Sequence, residues 1–301
     1  MAGQERRIGI DLGGTKIEGV VMADDGEVLQ RERVATPAGY EAIVMEVADV
    51  VRTLWRAAPG ATVGIGGPGA SDAEGLVYNS NTVCLNERPL HADIETAIGA
   101  PVRLSNDANC LALSEAIDGA AAGADVVFGV IMGTGVGGGI VVNGHVLSGP
   151  HGIAGEWGHN VLEPDGPQCY CGRCGCVETF LSGPGMKADY MRLGGEDGRD
   201  PPAIVAAARE GDATAELALD RYLERFGRAL ATVVNILDPD VIVLGGGLSH
   251  VEELYTEGVE RMRRYIFHPH WTGRLVASRW GDASGVRGAA WLWNLPPVPA
   301  S

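Results

Sequence analysis

Short apolar runs separated by glycine set the pattern of this chain. The opening segment, RIGIDLGGTKIEGVVMADDGEVL, reads as strand, glycine turn, strand, tight turn, strand. The apolar run Ile8–Ile10 leads into Gly13-Gly14-Thr15, a second apolar run follows, and Asp25-Gly26 is a pair that closes hairpins. VFGVIMGTGVGGGIVVNGHVLSG, residues 127 to 149, has the same grammar: Val130–Met132, Gly133-Thr134-Gly135, an apolar run, then Asn143-Gly144. A repeat with a period near 120 residues predicts a duplicated α/β domain. Two further segments join strand to helix. RLSNDANCLALSEAIDG ends a strand at Leu104 and begins a helix near Asp107; DVIVLGGGLSHVEELY predicts a strand, Gly245-Gly246-Gly247 and an amphipathic helix.

Glycine turns between strands suit phosphate, because backbone N–H groups without a Cβ in the way approach an anion closely. Other nucleotide motifs fail on context. Gly133 to Gly138 and Gly64 to Gly69 both fit G-x-G-x-x-G, but a dinucleotide fingerprint opens a helix. The first of these runs into a strand and the second into Pro68 and a polar loop. No Walker A sequence is present. Gly245 to Gly247 reads either as a tight turn or as bare backbone for a base or ribose. Asp107, in the first helical turn, is either an N-cap or a carboxylate that accepts a proton from an alcohol during phosphoryl transfer. Asp11 is a turn residue or a holder of Mg²⁺ or its waters.

Length and charge narrow the classes. A chain of 301 residues, 46% apolar, is about two domains long. The net charge of −16 argues against nucleic acid or an anionic membrane as partner. Lysine occurs only at Lys16 and Lys187, and Lys16 falls in the first glycine turn. The start carries no signal-peptide pattern and no apolar run is long enough for a membrane span, so a cytoplasmic protein is expected. In that compartment clustered cysteines are more often metal ligands or catalytic thiols than disulfides. CYCGRCGCVE, residues 169 to 178, together with His159, offers five donors for a zinc that takes four. Cys171 and Cys174 also spell the redox pair C-x-x-C, but the glycines and flanking C-x-C pairs favour a ligand-wrapped loop. His268 and His270 read as surface residues.

IGIDLGGTK, LSNDAN, MGTGVGGGIVVNG, AGEWGH, CYCGRCGCVE and LGGG occur in that order between residues 8 and 247, and GDASGVRGAAWLW follows near the C-terminus. Together they resemble the ROK family (repressor, open reading frame, kinase) of sugar kinases. The resemblance implies an α/β fold of the two-lobed, duplicated actin-like ATPase (ribonuclease H-like) type with a structural zinc loop. The small lobe would span 1–118, with a C-terminal helix at about 285–296 packing back on it. The large lobe would span 119–301 and carry the zinc loop, 159–178.

The resemblance further implies an ATP-dependent hexose kinase with Asp107 as catalytic base. Asn81, Asn106, Glu156, His159 and Glu178 would hold the sugar. Asp11, Gly13, Gly14, Thr15 and Lys16, with Gly133, Thr134, Gly135, Gly137 and Gly138, would hold the ATP phosphates with Mg²⁺. Gly245, Gly246 and Gly247 would take the adenosine. Structural Zn²⁺ would be bound by His159, Cys169, Cys171 and Cys176, leaving Cys174 spare. His159 would use one ring nitrogen for metal and the other for sugar. The repressors of the family carry an N-terminal helix-turn-helix, for which about seven residues before the first strand are too few. The motif wording is most similar to fructokinases, so fructose to fructose 6-phosphate is the expected reaction. N-acetylglucosamine kinase or glucokinase is the alternative, and a non-catalytic sugar sensor a more distant one. A homodimer is expected by resemblance alone.

Overall fold

The computed structural model describes residues 5–71 and 74–294. In chain order its first elements are β1 (Arg7–Leu12), β2 (Lys16–Met22), β3 (Val28–Ala35), α1 (Tyr40–Ala57), β4 (Thr62–Gly67), β5 (Ala70–Ser71), β6 (Val77–Tyr78), α2 (Leu90–Ile98), β7 (Val102–Asn106) and α3 (Asp107–Ile117). There follow β8 (Val126–Met132), β9 (Val136–Val142), β10 (His145–Val146), α4 (Glu178–Leu181), α5 (Gly183–Arg192), α6 (Pro201–Arg209) and α7 (Ala213–Leu237). The last are β11 (Val241–Gly245), α8 (Glu257–Arg263), β12 (Arg274–Ala277) and α9 (Ser284–Trp291).

One sheet has the order β3-β2-β1-β4-β7, antiparallel across β3, β2 and β1 and parallel from β1 to β7. The other, β10-β9-β8-β11-β12, repeats that order strand for strand, with β10–β9 antiparallel and β8, β11 and β12 parallel. Each glycine hairpin occupies the same place in its own sheet. This is the duplication expected from the sequence repeat. Among the described residues no helix is long and apolar enough to cross a membrane.

The chain divides into two compact units. The first takes residues up to Gly123, Gly139–Ala154, and Asp282 onward; the second takes Ala124–Gly138 and Gly155–Gly281. A single boundary near residue 118 was expected, whereas here Gly139–Ala154 goes with the first unit. The local reason is close packing: a Cβ at Gly139 would overlap the carbonyl oxygen of Ala108 at the start of α3.

In the first unit, Ile8, Ile10 and Leu12 of β1 meet Ile43, Val47, Val51 and Leu54, which recur at helical spacing on α1. Helix α9 packs on β1, β4 and α3. It can do so because Gly9 and Gly64 carry no side chain; a Cβ there would overlap the carbonyl oxygens of Val286 and Ala289. The expected helix 285–296 is thus α9 plus one further turn, Leu292–Asn294, and residues 295–296 lie outside those described. Glu115 on α3, fully buried, accepts hydrogen bonds from Ser284 Oγ and the Ala120 N–H, both at 2.8 Å.

In the second unit, α7 is the central helix. Its buried Arg225 donates to Asp189 Oδ2 of α5 at 2.8 Å and to Glu163 Oε1 at 3.0 Å. The segment after β11 differs from the expected helix. Two short 3₁₀ turns, Gly247–His250 and Glu252–Tyr255, come before α8. Gly246 has φ +79° and lies too close to Met132 O for any Cβ, and both N–H and Oγ of Ser249 donate to Gly246 O. The chain therefore curls tightly off the strand before a helix can start.

Gly64→Ala tests the seat of α9. It should destabilise the protein by about 2 kcal/mol or more, read as a lowered denaturant midpoint, because backbone has to move away from backbone. An unchanged midpoint would mean that α9 does not rest directly on β4.

Candidate active site and metal centre

In the first unit β7 runs into α3 at Asn106-Asp107. Asn106 is the N-cap: its Oδ1 accepts the Ala108 N–H at 2.8 Å, and its Nδ2 donates to Gly69 O at 3.1 Å. Capping, one of the two roles open to Asp107, thus belongs chiefly to its neighbour, although Asp107 Oδ1 also accepts the Ala108 N–H at 2.7 Å. Burial pushes the Asp107 carboxyl above its ordinary pKa, against the pull of backbone N–H groups at Ala108 and Asp107. Asn106 retains one amide N–H and part of its oxygen's capacity for another partner. Asn81 is exposed, on a loop where Asn86 Oδ1 accepts the Ser80 N–H at 2.9 Å and Asn86 Nδ2 donates to Ser80 O at 3.0 Å.

Asp11, near the end of β1, has its carboxyl pushed up to about 6. Burial is the main cause; Asp107, Glu18 and Asp282 add to it and Lys16 opposes it. The glycine turn beside Asp11 is braced at both ends. Gly13 N–H donates to Lys16 O at 3.0 Å, and Thr36 Oγ1 donates to Gly13 O at 2.7 Å. Lys16 Nζ lies 3.3 Å from Glu18 Oε2, and Glu18 is also paired with Arg31 and Arg33. Burial works to raise the Glu18 carboxyl, but Arg33, Arg31 and Lys16 outweigh it and hold it below its ordinary pKa.

In the second unit the other glycine turn is tied from outside. Gly133 N–H donates to Gly135 O at 2.9 Å, Gly183 N–H donates to Gly133 O at 2.7 Å, and Val136 N–H donates to Glu178 Oε2 at 2.9 Å. Trp157 Nε1 donates to Gly137 O at 3.2 Å, and a Cβ on Gly138 would lie 2.6 Å from the Trp157 ring. A cavity of ≈470 Å³ brings Gly133 and Thr134 together with Gly247, and Pro184, Lys187 and Arg199 also line it. No atom lies within 4 Å of a Cβ built on Gly133 or Gly247, so backbone faces the opening. The sequence reading did not include Pro184, Lys187 or Arg199. The available signal was that Lys187 is one of only two lysines.

The cysteine run folds back on His159. The ligand atoms of His159, Cys169, Cys171 and Cys176 all lie within 4.8 Å of one another. His159 Nδ1 is 3.6 Å from Cys169 Sγ, and Cys171 Sγ is 3.6 Å from Cys176 Sγ. Donors on a tetrahedron with bonds of ~2.3 Å stand ~3.7 Å apart, so three sulfurs and one imidazole nitrogen at these spacings suit a divalent cation such as zinc. Burial pushes the Cys176 thiol up to about 12 and raises Cys169 too, whereas Cys171, despite its desolvation, is held below its ordinary value by the Arg173 N–H and by hydrogen bonds from Cys169 and Cys176. A bound cation favours the thiolate form. Cys174 is exposed and lies outside the cluster. The loop closes through Gly175, whose φ of +67° and overlap of any Cβ with Glu163 O leave room only for glycine.

One detail departs from expectation. His159 Nε2, expected to face sugar, lies 3.0 Å from the Tyr170 hydroxyl, with the two rings edge-to-face at 5.1 Å. The Tyr170 hydroxyl is pushed up to about 12, by burial first and then by Glu178, Cys169 and Glu156. Tyr170, itself exposed, is thus a direct neighbour of His159, which the sequence did not signal because Tyr170 stands between two cysteines.

The ROK family model matches residues 7–295. An N-acetyl-D-glucosamine kinase of Citrobacter koseri is 38% identical over 297 residues, covering 94% of this chain and 98% of the relative. Among solved structures, a ROK hexokinase from Thermus thermophilus is 35% identical with a TM-score of 0.85, covering 95% of this chain and 96% of that one. A ROK family glucokinase from Streptomyces griseus, in complex with glucose and AMPPNP, is 32% identical with a TM-score of 0.79, covering 95% and 98%. The likeness runs end to end and agrees with the duplicated sheets: the chain has the actin-like ATPase fold and belongs to the ROK family.

Proposed function

We propose that the protein is an ATP-dependent sugar kinase acting on N-acetylglucosamine at its primary 6-hydroxyl. The expectation of fructose gives way to its stated alternative, since the relative from Citrobacter koseri is an N-acetylglucosamine kinase. A glucokinase and a hexokinase of the family support the wider class. The observation that carries the chemistry is Asp107, a half-buried carboxyl with a raised pKa at the first turn of α3, freed from sole capping duty by Asn106.

In this reading Asp107 orients the sugar hydroxyl and takes its proton as the oxygen bonds to the γ-phosphorus and the bond to the β-phosphate oxygen breaks, leaving ADP. A raised pKa makes that carboxylate a stronger base near neutral pH. The remaining amide N–H of Asn106 steadies the sugar, and the glycine turns offer backbone N–H groups to the phosphates. Magnesium, when bound with ATP, supplies charge neutralisation there, and Asp11 would hold it or its waters. Zinc at His159, Cys169, Cys171 and Cys176 has four protein ligands and so a structural role. It would fix His159 and the start of α4, where Glu178 holds the second glycine turn.

ADP release over a panel of sugars tests the reading. N-acetylglucosamine should stimulate it most, and well-folded protein that releases no ADP with any sugar would be a sugar sensor instead. Asp107→Asn should lower kcat by about a hundredfold or more while sugar binding persists; surviving turnover would return Asp107 to a capping role. Elemental analysis should find one zinc per chain. Cys174→Ser should retain it and Cys171→Ser should lose it, and loss in the Cys174 variant would reassign the ligands. Asp11 gives a pH test. Its folded pKa of about 6 is raised, so its ionised form is a burden above that pH that fades as pH falls toward 4. Asp11→Asn should stabilise the ligand-free protein at pH 8 by up to about 3 kcal/mol and have little effect at pH 4, seen in the thermal midpoint. Equal shifts at both pH values would mean that the carboxyl is not strained.

A further inference from the structure

A second cavity, ≈150 Å³, lies wholly in the first unit against the start of α3. Val77, Leu90 and Leu104 supply apolar surface, and Ser105 and Asn109 supply polar groups. The backbone of Gly67 to Gly69 forms another part of the wall. Asn109 is 4% exposed, and its buried Oδ1 has no hydrogen-bond partner among the described residues. A native fold rarely leaves a buried amide oxygen unpaired, since that costs about 1–3 kcal/mol, so the group points to a missing donor.

We infer that this cavity is the subsite for the acetamido group of a 2-acetamido sugar. Asn109 accepts the amide N–H, Ser105 serves the carbonyl, and Val77, Leu90 and Leu104 receive the methyl. Three features of the cavity lead there. Its size admits a group no larger than about benzene, because a cavity of about 150 Å³ holds that molecule. An acetamido group, with four heavy atoms, fits; a whole hexose does not, so the ring sits outside and only a substituent enters. Its walls are polar at Ser105 and Asn109 and apolar at Val77, Leu90 and Leu104, and an amide bearing a methyl has both characters. A bare hydroxyl, as in glucose, can reach one polar wall but leaves the apolar wall to water.

Its position is the third feature. Asn106 and Asn109, three residues apart, lie on one side of the first turn of α3, and both line the cavity. Asp107 is the first residue of α3 and stands in the chain between these two asparagines. A single sugar ring therefore can offer its primary hydroxyl to Asp107 and its acetamido group to the cavity. Fructose carries no such group. The inference rests on the reading that the sugar binds at the first turn of α3, and it adds which residues select the sugar.

Two measurements test it. The first uses unmodified protein and a ladder of glucosamines bearing N-formyl, N-acetyl, N-propionyl or N-benzoyl groups, with glucose as reference. Binding is followed by calorimetry without ATP, and turnover by ADP release. Affinity should peak at acetyl or propionyl, exceed that for glucose about tenfold or more, and collapse at benzoyl. The second compares Asn109→Ala, which removes the acceptor, and Ala70→Leu, which fills the cavity from a lining position. Each should lower the ratio of kcat/KM for N-acetylglucosamine over glucose about tenfold, with folding checked by circular dichroism.

A flat ladder, or an unchanged ratio in both variants, overturns the subsite even if the protein phosphorylates sugars. A ladder that peaks at acetyl in calorimetry with no turnover for any sugar upholds the subsite and defeats the kinase reading. The two claims therefore fail separately.

Discussion

Backbone has to meet backbone at several points in this fold, and only residues without a side chain permit it. In the first unit α9 lies directly on Gly9 and Gly64, and Gly288 of α9 lies on the carbonyl of Cys110 in α3. A Cβ at Gly66 would stand 3.1 Å from Cys110 Sγ, so α3 is wedged between a strand and a helix with little free space. Asp107 begins α3, and its position is therefore set by backbone contacts at Cys110, one turn further along the helix. In the second unit a Cβ at Gly158 would overlap the carbonyl of Val136, which keeps the turn before the metal loop against the second hairpin. Much of the chain's stock of 45 glycines serves this packing.

The metal loop extends the same order by other means. Its four donors span 18 positions, from His159 to Cys176, and a metal that joined them would close a loop otherwise held by backbone turns and by the ion pairs of Glu163. Glu163, near its start, is anchored to Arg225, and Arg225 is anchored to Asp189. Two residues after the last ligand, Glu178 accepts the N–H of Val136. A cation held at these four donors would thus be linked to the second glycine turn through one short helix start. The metal loop and that turn form one mechanical piece within the second unit.

What was legible in the sequence was local. Two hairpins with glycine punctuation declared a duplication, and the identical strand orders bear it out. The four donors brought together at His159, Cys169, Cys171 and Cys176 lie close in sequence, so few foldings of that segment are available to them. What was not legible depends on distant partners. Gly64 and Gly69 looked like half of a nucleotide motif; one receives α9 and the carbonyl of the other receives Asn106. Lys187 and Arg199 line the cavity at Gly133 because α5 and the segment leading into α6 bring them there. The expectation of fructose, which the named relatives support less than N-acetylglucosamine, had a related origin. The wording that pointed to fructose came largely from the metal loop, which says much about holding a cation and little about the walls of the cavity at Asn109.

Charge completes the picture. The chain carries a net −16, yet its glycine hairpins have the form of anion sites. Side-chain cations do not resolve this, because Lys16 is drawn to Glu18, which also holds Arg31 and Arg33, and Lys187 lies 3.3 Å from Asp197. Asp11 and Asp107 add buried negative charge beside the first turn, and each resists ionisation. Attraction for an anion would then come from the turns' backbone N–H groups other than those of Gly13, Gly133 and Val136, which are engaged by Lys16 O, Gly135 O and the Glu178 carboxylate. Such dipoles act over a few ångströms, unlike a basic surface, which attracts any polyanion from a distance. A turn of this kind favours an anion that arrives with its own cation and fits the backbone closely. The acidity of the chain and the bareness of its glycine turns are then two sides of one selective device.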